Sequence, residues 1–258
     1  LFPPSSLGGL PVIVNLAQYL FRGITKMDKN SSETRLNPPF WRHDWYSLSK
    51  LRQTIEQVIN TNSIALAKEH IVDVGCGDCP YQPVFTLRGC KYIGCDIDEH
   101  AEVVLELDKP IPLPDNYCDG VVSFQVLEHV WDLDWYLGEC LRILKPGGWL
   151  LLSTHGSWLY HPHPTDYRRW TRDGLLREIS SRGFTLKDVV SIVGPLAWST
   201  QLRLLGYAVV ARKLGLLGQL ILFPVACFMN LRMVVEDSVT PVAIRDVNAS
   251  VYVTLFEK

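Results

Sequence analysis

Short apolar runs alternate with longer segments whose apolar residues recur at helical spacing. The run at 70–74 stops at Gly75-Cys76-Gly77, and the run at 91–95 stops at Asp96. Further runs at 119–124, 149–153 and 184–193 have the length of buried strands, 101–107 is a candidate third strand, and 250–256 alternates as an edge strand would. Between them a helix is predicted over 47–59, with Leu48, Leu51, Ile55, Val58 and Ile59 on one face. Another is predicted over 132–144, with Asp132 as N-cap and Leu133, Leu137, Cys140, Leu141 and Leu144 on one face. A third is capped by Thr171 and stopped by Gly183. Strands alternating with helices imply an α/β, doubly wound, largely parallel sheet. Glycines after the first strand let a ligand approach the backbone closely. An acid ending the second strand, about twenty residues on, sits where ribose hydroxyls bond in nucleotide-binding folds. Together they predict an adenosine-containing cofactor.

Two stretches interrupt the alternation. Residues 1–60 read as an N-terminal arm and helix packing on the core formed by 61–258. The arm carries an apolar patch at 10–21 without a basic leader or a small-residue cleavage site, so no signal peptide is expected. The aromatic cluster Phe40-Trp41-Arg42-His43-Asp44-Trp45-Tyr46 reads either as packing of the arm or as a cap on a cofactor pocket. Residues 195–245 form an insertion far longer than a hairpin needs. No charged residue occurs over 214–231. That stretch reads as a buried or dimer-forming helix, as a lipid-facing element at a membrane surface, or as a span, against which Pro224 and the glycines count.

Composition narrows the class. With 47% hydrophobic and 20% charged residues the chain is globular in type, and a net charge of −2 offers no basic excess for nucleic acid. Seven cysteines, an odd number, fit reduced thiols in a cytoplasmic protein rather than a disulfide framework. Cys76 and Cys79 spell C-x-x-C, but no second pair completes a Cys₄ zinc site.

The motifs Val72-Asp73-Val74-Gly75-Cys76-Gly77, Asp96, Leu113-Pro114-Asp115-Asn116, Leu127-Glu128-His129-Val130 and Leu144-Lys145-Pro146-Gly147-Gly148 stand in one order. In that order they resemble the class I S-adenosylmethionine-dependent methyltransferases. The resemblance covers about residues 70–194. It implies a Rossmann-like, seven-stranded, mostly parallel sheet with an antiparallel last strand, S-adenosylmethionine as cofactor and S-adenosylhomocysteine as product. Pro80 stands where a dinucleotide site has its third glycine, and this cofactor has no pyrophosphate to place there. The family pattern implies that Asp73, Gly75, Cys76 and Gly77 hold the methionine and ribose region. It further implies that Asp96 bonds the ribose hydroxyls, Ile97 packs on the adenine, and Leu107-Asp108 meets the adenine edge, with Glu106 close enough to leave the alignment open. Phe124 and Gln125 would line the methyl-donor end. Glu128 and His129 read either as catalytic groups or as fixtures of the loop.

Residues 153–170 follow a strand's C-terminal end, where open α/β sheets bind ligands. They concentrate histidines, tyrosines and arginines, with Pro162 and Pro164 stiffening the segment. His163 or His161 is the expected general base, oriented by Asp166, with Arg168 and Arg169 available to an anionic acceptor. A lid held by these residues, or a metal site at His161-x-His163-x-x-Asp166, are the other readings. The expected activity is methyl transfer to a small molecule at a hydroxyl, the acceptor having a hydrophobic or lipid-linked part. A silent binding or scaffold subunit is the alternative. Residues 195–245 are the expected contact with a membrane surface or a second copy.

Overall fold

The computed structural model describes residues 32–62, 64, 69–162 and 164–258. Most of the expected arm, and His163, lie outside them. In chain order the elements are α1 (Ser32–Leu36), α2 (Trp45–Thr61), β1 (His70–Val74), α3 (Gln82–Thr86), β2 (Lys91–Asp96), β3 (Val103–Val104), β4 (Cys118–Phe124), a 3₁₀ turn (Leu127–His129), α4 (Leu133–Ile143), β5 (Leu144–His155), α5 (Arg172–Ser180), β6 (Thr185–Ile192), α6 (Pro195–Lys213), α7 (Gly215–Val239), α8 (Val242–Val247) and β7 (Val251–Glu257). Asp132 caps α4 by accepting from the Trp135 N–H, and Thr171 caps α5 by accepting from Gly174.

The seven strands form one sheet in the order β3-β2-β1-β4-β5-β7-β6. Strands β1 to β5 pair in parallel, and β7 runs antiparallel to both its neighbours. The expectation of an edge strand at 250–256 is corrected here: β7 sits between β5 and β6, and β6 is the edge. Its apparent alternation is not inside-out. Val251, Val253 and Leu255 enter one core, while Tyr252 and Phe256 enter the core on the opposite face. A strand covered on both faces is what an interior position requires. The candidate third strand at 101–107 shrinks to two residues. The strand expected at 149–153 grows to twelve residues, running from Leu144 through Lys145–Gly148 to His155.

Helices cover both faces, the doubly wound arrangement. Leu51, Ile55 and Val58 of α2 pack with Leu204 of α6 and Met233 of α7 on one side. Leu137, Cys140 and Ile143 of α4 pack with Leu175 and Ile179 of α5 on the other.

The insertion is a helical hairpin, α6 against α7. At Gly218 an added Cβ would lie 2.1 Å from the Ala211 carbonyl oxygen, so only glycine permits so close a crossing. The chain enters the hairpin through Val193, a fully buried β-branched residue held at φ 60°. That left-handed conformation is strained for valine. The aromatic cluster at 40–46 clasps the hairpin to α2. Tyr46 Oη donates to Asp237 Oδ2 at 2.9 Å, Gly194 N–H donates to Asp237 Oδ1 at 2.7 Å, and Asn230 Nδ2 donates to the Arg42 carbonyl at 3.0 Å. Trp41 and Phe223 rings meet at 5.9 Å. Packing is therefore the main role of the cluster, although His43 and Asp44 reach the cavity described next.

Candidate active site

A cavity of about 1290 Å³ opens at the C-terminal ends of β1, β2, β4 and β5. Parallel strands place their following loops there, and the sheet's change of direction between β1 and β4 opens the crevice. Asp73, Gly75, Cys76, Gly77, Asp96, Ile97, Leu107, Asp108, Phe124 and Gln125, expected as cofactor residues, all lie on its wall.

The glycine turn is shaped by backbone demand. Gly75 sits at φ 83° with Val126 only 2.6 Å from where its Cβ would be, so a side chain there is barred twice over. Gly77, at φ 52°, has open space beside it. Its N–H donates to Asp96 Oδ2 at 2.8 Å, and Asp98 N–H donates to Oδ1 at 3.2 Å, which fixes the carboxylate at the end of β2. Gln125, just past β4, is held at φ 59° by its own N–H to the Ser153 carbonyl and by Nε2 to Ser153 Oγ, both at 2.9 Å. Glu106 turns to Lys109, leaving Leu105, Leu107 and Asp108 as the cavity residues of that region.

Asp73 is the unusual group. Only 2% of it is exposed, Tyr92 Oη donates to Oδ2, and Oδ1 is buried without a hydrogen-bond partner. Burial pushes its carboxyl up to about 7, against the bond from Tyr92. An orphaned acidic oxygen beside a glycine cradle fits the α-ammonium of an amino-acid ligand, which would stabilise the anion. The fixed Asp96 carboxylate fits a vicinal diol. The donor set therefore suits a cofactor joining an amino acid to a nucleoside. Cys76 and Cys79 do not form a reactive pair: burial raises both thiols above their usual range, and both sulfurs pack over Gly94.

Across the cavity stands a cluster that sequence reasoning only half identified. Glu128 is fully buried, and its Oε1 lies 2.6 Å from His155 Nδ1 while Thr154 Oγ1 donates to Oε2 at 2.8 Å. Burial alone would raise this carboxyl, but the neighbouring His155 outweighs burial and holds Glu128 at about 2. The His155 ring stacks on Trp158 at 4.7 Å and meets His161 edge-on at 5.1 Å. His129 Nδ1 lies 2.6 Å from the Thr165 carbonyl, so it ties Thr165 to the 3₁₀ turn. His129, His155 and His161 all line the cavity.

His161 itself is lowered to about 4 by burial and then by the neighbouring His155 and His129. Asp166 lies off the cavity wall. Its carboxylate grips Arg169 at 2.5 and 2.6 Å, accepts the His161 backbone N–H at 3.0 Å, and stands 3.6 Å from His161 Nδ1. Neither arginine expected to receive an acceptor lines the cavity. Arg169 also donates to the Trp158 and Leu159 carbonyls, and Arg168 donates to the Trp131 carbonyl. Among the described residues the arginines on the wall are Arg35 of α1 and Arg212 of α6, which no motif marked.

Among the described residues Glu128, His155 and His161 bring possible metal-ligand atoms within 4.8 Å of one another. Two ligands of one ion stand ~3 Å apart or more at ordinary bond lengths and angles. At 2.6 Å, Glu128 Oε1 and His155 Nδ1 stand closer than that, a contact pair of buried atoms that complete no other hydrogen bond.

Comparison with known proteins agrees with the geometry. Residues 72–152 match a family model described as a methyltransferase domain. A Mycolicibacterium smegmatis protein named "Probable S-adenosylmethionine-dependent methyltransferase" is 29% identical over 143 residues, 49% of this chain and 56% of that protein. The ubiquinone biosynthesis O-methyltransferase of Pseudomonas savastanoi is 31% identical over 108 residues, 35% of this chain and 46% of that protein. The chain thus spans about half the length of the curated relatives it matches. An S-adenosylmethionine-dependent methyltransferase from Mesorhizobium loti shares the fold at a TM-score of 0.51 and 14% identity, over 84% of this chain and 98% of that one.

Proposed function

We propose, from a chain whose residues 72–152 match a methyltransferase domain, that it transfers a methyl group from S-adenosylmethionine to the hydroxyl of a small acceptor with an apolar part. The observation that carries this reading is one cavity with two unlike walls: Asp73, the Gly75–Gly77 turn and Asp96 on one side, and a buried Glu128–His155 pair on the other.

The bound sulfonium cofactor supplies a methyl group already activated for displacement. The chain's residues have three tasks. Asp73 receives the ammonium and Asp96 the ribose diol, so the donor end is directed toward Phe124 and Gln125. Trp158, His161 and Leu205 shape the space where an acceptor is held in line, and positioning is the larger part of such a reaction. His155 takes the acceptor's proton as the methyl is transferred. The Glu128 carboxylate at its Nδ1 orients the ring and stabilises the imidazolium that forms, the logic of any carboxylate-backed histidine. The geometry favours His155 over His161 for this step, because Glu128 Oε1 stands 2.6 Å from His155 Nδ1, whereas the carboxylate near His161, Asp166, is 3.6 Å away and held by Arg169. The O-methyltransferase among the relatives supports oxygen as the acceptor atom.

Isothermal titration with S-adenosylhomocysteine tests the cofactor assignment: binding is expected, with at least a tenfold loss, about 1.4 kcal/mol, in Asp96→Ala. Unchanged affinity in that variant removes the basis of the site. A screen with labelled S-adenosylmethionine against metabolite and lipid extracts identifies the acceptor by product mass. Cofactor binding without transfer to any acceptor favours a silent binding subunit.

A further inference from the structure

We propose that the α6–α7 hairpin docks on an anionic lipid bilayer, bringing the mouth of the cavity to the membrane surface. Helix α7 is long and apolar enough to be a candidate membrane span, yet only 28% of its most apolar 18-residue window is buried. Its N-terminal half buries only Gly218 and Ala226. Leu217, Leu220, Ile221 and Phe228 of α7, with Val209 and Val210 of α6, stand exposed on the same hairpin. A patch of that kind on a folded chain calls for a cover.

Length and anchoring decide how deep the hairpin goes. The C-terminal half of α7 is fixed to the core through Asn230, Met233 and Asp237, which are buried. Only the outward side of residues 214–228 is left to meet lipid, along ~22 Å of helix at 1.5 Å per residue. A hydrocarbon core of ~30 Å is not crossed by that length. The hairpin therefore lies in the interface with the exposed apolar side of α7 down, its other side, Ala226, Met229 and Met233, packed on the core.

Charge identifies the surface and decides against a second copy. No acidic residue occurs between Asp188 and Glu236, whereas Arg203, Arg212 and Lys213 are exposed on α6. Lipid headgroups of negative charge complement them, each cation strengthening binding severalfold. In a two-fold pairing of identical hairpins the same patch meets itself, and these cations would face one another. Leu205 and Arg212 of α6 also line the cavity, so one helix joins the lipid-facing surface to the acceptor space. Docking stands on the hairpin alone. That the bilayer supplies the acceptor, a lipid with a headgroup hydroxyl, rests on the methyl-transfer reading above.

Co-sedimentation of the full chain with phosphatidylcholine vesicles, with and without phosphatidylglycerol, tests the docking. Binding is expected to be at least tenfold tighter with phosphatidylglycerol. Arg203→Glu with Lys213→Glu should abolish that preference, and Leu217→Glu with Ile221→Glu should abolish binding to both vesicles. S-adenosylhomocysteine titration of the same variants controls for folding, since all four side chains are exposed; it also separates the two readings, because vesicle binding without cofactor binding sinks methyl transfer and leaves the docking intact. Vesicle binding unchanged by Leu217→Glu with Ile221→Glu overturns the proposal. So does a concentration-dependent dimer in the ultracentrifuge that those substitutions dissolve, with no binding to vesicles.

Discussion

Asp73 turns burial into pH dependence. Between its ordinary 3.8 and about 7 the folded, unliganded protein keeps a proton that the unfolded chain releases. Its contribution to stability is therefore complete below 3.8 and lost as pH rises through about 7. Ligand binding has the opposite sense, because an ammonium wants the anion. S-adenosylhomocysteine affinity should rise across pH 6–8 in titration calorimetry, and Asp73→Asn should flatten that rise while weakening binding. Glu128 behaves conversely: the stability it supplies is present above 4.5 and disappears as pH falls through about 2. His155→Gln should lower kcat by roughly 10²–10⁴ and leave cofactor affinity intact. Glu128→Gln, acting through His155, should lower kcat and displace the acid limb of the pH–rate profile, which a packing role would leave in place. That the residues expected to hold a cofactor would share one cavity was legible because strand ends and glycine turns leave local marks. His155 was not, since the strand expected to end at Ser153 continues two residues further and its partner Glu128 comes from another loop. No local pattern in the sequence records that meeting.

At the scale of elements, strands and helices were readable wherever one periodicity ruled, as in α2 and α4. They were misread where burial on both faces removes the signal. An alternating run such as 250–256 looks half-exposed until two separate cores claim its two sides. The hairpin was legible as apolar and uncharged, but its architecture depends on Gly218, one small residue among many. Gly218→Ala should force α6 and α7 apart at their crossing, at a cost of about 1–3 kcal/mol. Amide exchange should report this as faster opening over 207–222, with β1 to β5 keeping their protection. Equal protection in the variant would mean that the crossing is looser than the Ala211 contact implies.

For the molecule as a whole, the clasp between the 40–46 stretch and the hairpin joins parts of the chain that sequence reading had kept apart. Asp237→Ala leaves the Tyr46 hydroxyl and the Gly194 N–H buried without their acceptor. The expected loss is about 2–4 kcal/mol, seen as a drop of roughly 5–15 °C in Tm. Tyr46→Phe, which removes donor and need together on one side, should cost less. The interior place of β7 has a consequence for synthesis. The hairpin is made before the strand that locks β6 onto β5, so for the time needed to make about twenty more residues, on the order of seconds, its apolar surface belongs to a chain whose sheet is still open. A nascent protein in that state is exposed to aggregation and to early capture by lipid, and the final strand closes the sheet only after either encounter has had its chance.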